Sequence, residues 1–166
     1  MSVPPEPSDV VRAIVVADYR PAGNSVEIVR EKRTEDHCVV AVAFKDDDGV
    51  QRRGLYGLQR HHDGVWRPNG QYMGSARATG ARDVWMTWGG WGGGAREMSV
   101  VGGWVADLSV SVARATDDAT GRILDDHLEN GVALFVFDGY FGSYSRMELL
   151  DQHGEPTRTG LLSRRP

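Results

Sequence analysis

The sequence predicts a mainly β, α+β protein in which an N-terminal helix and an antiparallel meander precede a β-sandwich. Three observations carry that prediction. After residue 23, turn signals containing glycine recur about every ten residues, the rhythm of short antiparallel strands. Two runs, 38–44 and 132–137, are apolar at consecutive positions, as strands covered on both faces are. The run 108–112 alternates Leu108, Val110 and Val112 with Ser109 and Ser111, the pattern of a strand with one buried face.

Taken in order, residues 1–7 read as a loose tail. Ser8 or Asp9 caps a helix running to about residue 20, stopped by Pro21 and Gly23. Val11, Ile14, Val15 and Val16 mark its apolar face, and their β-branching leaves a strand as the alternative. Strands follow at 26–33 and 38–44. Asp46-Asp47-Asp48-Gly49 turns the chain into a strand at 50–60, and His62-Asp63-Gly64 turns it again into 65–67. Each corner ends on a glycine that can supply a positive φ. Arg67-Pro68-Asn69-Gly70 marks another turn, and 74–81 is a small-residue loop. A second set of strands is expected at 84–88, 98–105, 108–112, 122–128, 132–137, 144–150 and 157–162. A glycine run at 89–94 and turns at 117–121, 130–131 and 151–154 separate them.

The small-residue stretch divides the chain into residues 1–78, the helix and meander, and 79–166, the sandwich; one continuous domain is the alternative. The second part resembles an immunoglobulin-like sandwich at the level of fold alone. The Cys…Trp…Cys signature of true immunoglobulin domains is missing, because Cys38 is the sole cysteine.

The bulk properties bound the partners. A formal charge of −4 argues against nucleic acid and gives no reason to expect an anionic membrane. One cysteine allows neither an internal disulfide nor a thiolate-rich metal site, and Cys38 lies in an apolar run where a buried hydrophobe is expected. The first residues lack the basic start and apolar stretch of a secretory signal, and no run approaches a membrane span, so the expected compartment is the cytoplasm. The 19 basic residues include only two lysines, Lys32 and Lys45, a skew expected of a G+C-rich bacterial genome.

The most unusual segment holds Trp85, Trp88, Trp91 and Trp104, interleaved with seven glycines between Gly89 and Gly103. Tryptophan joins a large apolar body to one N–H donor, and glycine lets a backbone approach a ligand or another chain. These four tryptophans are the candidate ligand- or partner-binding residues. The competing expectation is that Trp85 and Trp104 are core, while Trp91, flanked by glycines, faces outward on a recognition loop at 89–94.

Catalytic and metal motifs fail their spacing tests. The glycine run is followed by Ala95-Arg96-Glu97 and a strand, not by the Gly-Lys-Ser/Thr and helix of a phosphate cradle. Counting from Asp46, the twelfth position of a calcium loop is Gly57 instead of Glu, so the acidic run is read as a turn. His37, His61, His62, His127 and His153 contain no i, i+4 pair. Asp125 and His127 would share a strand face, a spacing that a solvated face also produces. The neighbouring carboxylates Asp117 and Asp118, like Asp125 and Asp126, would point to opposite sides of their strands. Ser143 and Ser145 lack the Gly-x-Ser-x-Gly elbow. No cofactor and no metal are expected.

The leading functional expectation is therefore a non-catalytic binding or protein-interaction module with an unidentified protein or small-molecule partner. The alternative is a small enzyme or small-molecule sequestering protein with a cleft between its two halves. A third reading uses the aromatic surface for homo-oligomerisation.

Overall fold

The computed structural model describes residues 4–75, 84–91, 98–117, 120–138 and 145–163. Among the described residues, one helix, α1 (Pro7–Tyr19), precedes eleven strands. These are β1 (Glu27–Arg33), β2 (His37–Lys45), β3 (Gln51–Arg60), β4 (Trp66–Ser75), β5 (Val84–Trp91) and β6 (Met98–Val105), then β7 (Val112–Asp117), β8 (Ile123–His127), β9 (Val132–Asp138), β10 (Ser145–Leu150) and β11 (Pro156–Ser163). They form three antiparallel sheets: sheet A in the order β1-β2-β3-β4, sheet B in the order β5-β6-β9, and sheet C in the order β11-β10-β7-β8. Among the described residues, no helix is long and apolar enough to cross a membrane.

The two fully apolar runs explain the layering. In β2, Cys38, Val40, Val42 and Phe44 face α1 and pack with Val11 and Val15, which lie one helical turn apart. Val39 and Ala41, on the opposite face, join Leu55 of β3 against Trp104, Val132 and Leu134 of sheet B. In β9 the roles repeat: Val132 and Leu134 face sheet A, while Ala133 and Phe135 pack on Ala113, Ala115, Met147 and Leu149 of sheet C. The order of layers is helix, sheet A, sheet B, sheet C. Sheet B is covered on both faces at β9, which is why that strand carries no polar alternation.

Sheets B and C form a sandwich of three and four strands, and the chain crosses between them from β6 to β7, from β8 to β9 and from β9 to β10. Gly102 of β6 is hemmed in by β9 of its own sheet and by Leu55 of sheet A. A Cβ built there would fall 2.8 Å from Leu134 Cδ2, 3.0 Å from the Ala133 carbonyl oxygen and 3.0 Å from Leu55 Cδ1.

One ionic cluster joins all three sheets. Asp126 of β8, 3% exposed, accepts hydrogen bonds from Arg30 Nη1 (2.6 Å) and Nη2 (2.9 Å), Lys32 Nζ (2.6 Å) and the Leu134 N–H (2.8 Å). Arg30 Nη1 also donates to the Val132 carbonyl at 2.7 Å, and Lys32 Nζ to the Leu134 carbonyl at 3.1 Å. Among the described residues no strand follows β9 in sheet B, and side chains from β1 and β8 satisfy the outward backbone groups of Val132 and Leu134 that a neighbouring strand would otherwise pair. Burial by itself would raise the Asp126 carboxyl, but the hydrogen bonds from Arg30, Lys32 and Leu134 outweigh it and hold the group below the usual carboxylate range.

Four local expectations are corrected. The helix starts one residue before Ser8: Glu6 stands at the N-cap without a side-chain cap and Pro7 opens the first turn, where its missing N–H costs nothing. Ser8 Oγ instead donates to Glu31 at 2.5 Å, and Val16 points to solvent. The alternation at 108–112 is a turn up to Val110, and the strand begins at Val112. Asp107 Oδ1 accepts from both the N–H and the hydroxyl of Ser109, and the Asp107 carbonyl accepts from the Val110 N–H, leaving Leu108 99% exposed. Pro68-Asn69-Gly70 is not a turn but part of β4, an edge strand of sheet A, where proline is tolerated. Gly89, Gly90 and Trp91 are not loop residues either: they continue β5, paired with Val100, Ser99 and Met98 of β6. Backbone ladder bonds need no side chain, so glycines can extend a hairpin whose partner strand is strong.

Candidate ligand site

A pocket of about 590 Å³ opens between α1 and the β3–β4 edge of sheet A. Ala13, Ile14, Ala17 and Asp18 line it from the helix, and Tyr56, Pro68, Asn69, Gly70 and Gln71 from the sheet. Its position follows from the packing. Val11 and Val15 seat the helix on β2, while the small Ala13 and Ala17 leave space over the edge of the sheet.

A register shift in β4 shapes the sheet side. Leu58 pairs with Pro68 and Gly57 with Gly70, so Asn69 is an extra residue without a partner across the ladder. Such a bulge kinks the strand and re-aims a side chain. Asn69 Nδ2 is shut off from solvent and has no hydrogen-bond partner among the described residues, and the same holds for Tyr56 Oη on the adjacent strand. Tyr56 is 1% exposed. Burial raises its phenol, and Tyr19 and Asp18 raise it further, so the hydroxyl keeps its proton throughout the ordinary pH range. A buried polar atom left unsatisfied costs stability, about 1–3 kcal/mol for a neutral group. Both residues belong to the lining of this pocket.

A second cleft, of about 400 Å³, lies between Lys32 and Thr34 on one side and Arg122, Leu124, Asp125, Phe135 and Val136 on the other. It joins the N-terminal and C-terminal parts of the chain. Its charges are largely engaged within the protein: Lys32 binds Asp126, and Asp125 accepts from Arg114 Nε (2.7 Å) and Nη2 (2.8 Å). The Arg114 contact, followed by burial in the opposite sense, leaves Asp125 below its ordinary value.

Of the four tryptophans singled out in the sequence, only Trp104 has its side chain among the described residues. Trp104 is buried between sheets A and B, with the Arg53 guanidinium 6.0 Å from its ring centroid. The backbone of Trp85 pairs with that of Trp104, and Trp88 with Val101. The side chains of Trp85, Trp88 and Trp91 lie outside the described residues, as do Gly92–94, Asp118 and Ser143. Asp125 and His127 are both exposed on β8, whereas Asp126 points inward. The carboxylate oxygens of Asp46, Asp47 and Asp48 lie within 4.8 Å of one another. Asp46, however, accepts from Arg52 Nε and from the Val50 N–H, both at 2.8 Å, and Gly49 turns the chain at φ +74°. Cys38 is fully buried against α1, and burial pushes its thiol up to about 12.

Sequence reasoning missed Tyr56 and Asn69. The signal was present in Pro68-Asn69-Gly70, since those residues serve an irregular edge strand as well as a turn. No protein family, no curated protein and no solved structure matches this chain.

Proposed function

We propose that the chain is a small-molecule binding module whose ligand lies between α1 and the β3–β4 edge. The supporting observation is the 590 Å³ pocket between the helix and the sheet edge. That volume falls within the range of ligand sites, and so does the mixture of an apolar wall with a few polar groups. On this reading the other layers are support: sheet B holds sheet A from behind, and β5–β11 form a sandwich of three and four strands that we read as immunoglobulin-like. The arginine-rich, acidic composition fits a cytoplasmic protein of a G+C-rich bacterium.

Amide-resolved NMR with 2-methylnaphthalene as the probe tests the proposal. Binding should shift the amides of Ala13, Ala17, Asn69 and Gly70, and Ala17→Trp, which fills the pocket from an exposed helix position, should remove those shifts. Shifts confined to other parts of the molecule, or none at saturation, would refute it.

A further inference from the structure

We infer that the ligand of this pocket is an organic monocation, an apolar body carrying a protonated amine that is held at Asp18. The inference rests on the binding reading above and adds the chemical class that the pocket selects. Of the described lining residues only Asp18 carries a charge, while Ala13, Ile14, Ala17 and Pro68 supply apolar wall. Asp18 is exposed, and no hydrogen bond or salt bridge joins it to another described residue.

The position of Asp18 in the helix adds to its negative potential. Aligned peptide dipoles leave the C-terminal end of a helix negative, so cations are favoured there and carboxylates are not. Asp18 lies in the last turn of α1, which contains no basic residue. The final carbonyls also lack their usual backbone caps. Pro21, four residues after Ala17, has no N–H, and Ala22, four after Asp18, gives its N–H to the Lys45 carbonyl at 2.9 Å. A neighbouring hollow of about 350 Å³ shares Ala17 and Asp18 with the pocket and adds Asp46, Asp47 and Asp48 against Arg20 and Arg52. Arg52 is already bound to Asp46. The field of Asp18 reaches the sheet wall as well, since it raises the Tyr56 phenol after burial and Tyr19. A carboxylate without a cation and a helix end without a cap thus set negative potential at one end of an apolar pocket.

An ammonium group gains from both features, and its hydrocarbon part covers the small side chains of the helix. A carboxylate or phosphate would lose hydration, find no Lys or Arg in the lining and meet a like charge. A neutral molecule would take water from Asp18 without replacing it. Because Asp18 is exposed, the ion pair is solvent-facing and its effect on affinity is modest. The apolar body sets how tightly the ligand binds, and Asp18 sets which charge is chosen.

The test uses the full chain and three naphthalenes of nearly equal size. At neutral pH 2-naphthylmethylamine is a cation, 2-naphthalenemethanol is neutral and 2-naphthoate is an anion. Amide NMR titrations followed at Ala13, Ala17 and Gly70 should show the amine binding about fivefold more tightly than the alcohol, and the naphthoate more weakly than either. Asp18→Asn should bring the amine down to the alcohol and leave the alcohol unchanged. Asp9→Asn, at the other end of α1, should alter none of the three. Raising the salt from about 20 mM to about 500 mM should weaken the amine alone. Thermal melts should show Asp18→Asn at least as stable as the parent, since a carboxylate leaves the negative end of a helix. If amine and alcohol bind alike, or if the preference for the amine survives in Asp18→Asn, the cation inference is overturned while the pocket stands. A clear loss of stability in Asp18→Asn would overturn it too, by giving the carboxylate a structural role. If none of the three binds, or if Ala17→Trp leaves their binding intact, the binding reading itself fails.

Discussion

Asp125 and Asp126 are neighbours on β8 with opposite fates, and replacing each by asparagine isolates the effect of burial. Asp126→Asn keeps the shape of the side chain but removes the charge that balances Arg30 and Lys32. It also places an amide donor where four donor groups already converge. The Arg30 side chain is 6% exposed, and its remaining acidic neighbour, Glu129, is 3.6 Å away and mostly in water. Breaking one side of a buried pair in this way typically costs about 3–5 kcal/mol. Asp125→Asn breaks a well-formed but solvent-facing pair with Arg114, for which about 0–1 kcal/mol is expected. Urea unfolding of both variants at neutral pH gives the comparison, with unchanged slopes required for the midpoints to report stability. Asp126 is held below its unfolded value, so its contribution is fully present above the ordinary carboxylate range and drains away as the pH falls through and below about 4. The Asp126→Asn protein should therefore lose less stability than the parent between neutral and acid pH. Equal, small losses for the two variants would refute the view that this cluster fastens three sheets together.

Two further outcomes follow from the packing. Gly102→Ala should destabilise the protein by about 1–3 kcal/mol, because the new Cβ meets the Ala133 carbonyl oxygen at 3.0 Å and backbone cannot step aside as a side chain can. A rise in the unfolding midpoint would show that sheets A and B have slack there. Cys38 should resist a thiol-disulfide reagent at pH 8 in the native protein and react fully in denaturant, given its complete burial and raised thiol. Rapid native labelling would mean that α1 lifts readily from sheet A.

The architecture was legible wherever one physical cause dominated. Uninterrupted apolar runs arise when a strand is covered on both faces, and 38–44 and 132–136 are covered in that way, by different partners on each side. Asn130-Gly131, with φ of +53° and +71°, is the tight corner that its residues promised. Legibility failed where one pattern has two causes. Alternation at 108–112 suits a strand, but Asp107 captures Ser109 locally and the chain turns before pairing starts. Proline, asparagine and glycine serve a bulge as well as a turn, and only the position of β4 at a sheet edge decides between them. The pocket was illegible for a third reason. It is defined by what α1 leaves uncovered, and no residue pattern records the angle at which a helix rests on a sheet.

The shared face between sheets A and B has a consequence for the newborn chain. Strands β1–β4 pair in sheet A in sequence order and α1 packs on that sheet, so this half can assemble as soon as it has emerged. Its second apolar face, with Val39, Ala41 and Leu55, is completed by Trp104, Val132 and Leu134. Those partners follow the end of β4 by about 30 to 60 residues, which at roughly 5–20 residues per second is an interval of several seconds. During that interval an oily sheet surface stays uncovered, within reach of any other apolar surface nearby. The ribosome, or a chaperone stationed near its exit, is then the first occupant of the surface that sheet B later covers.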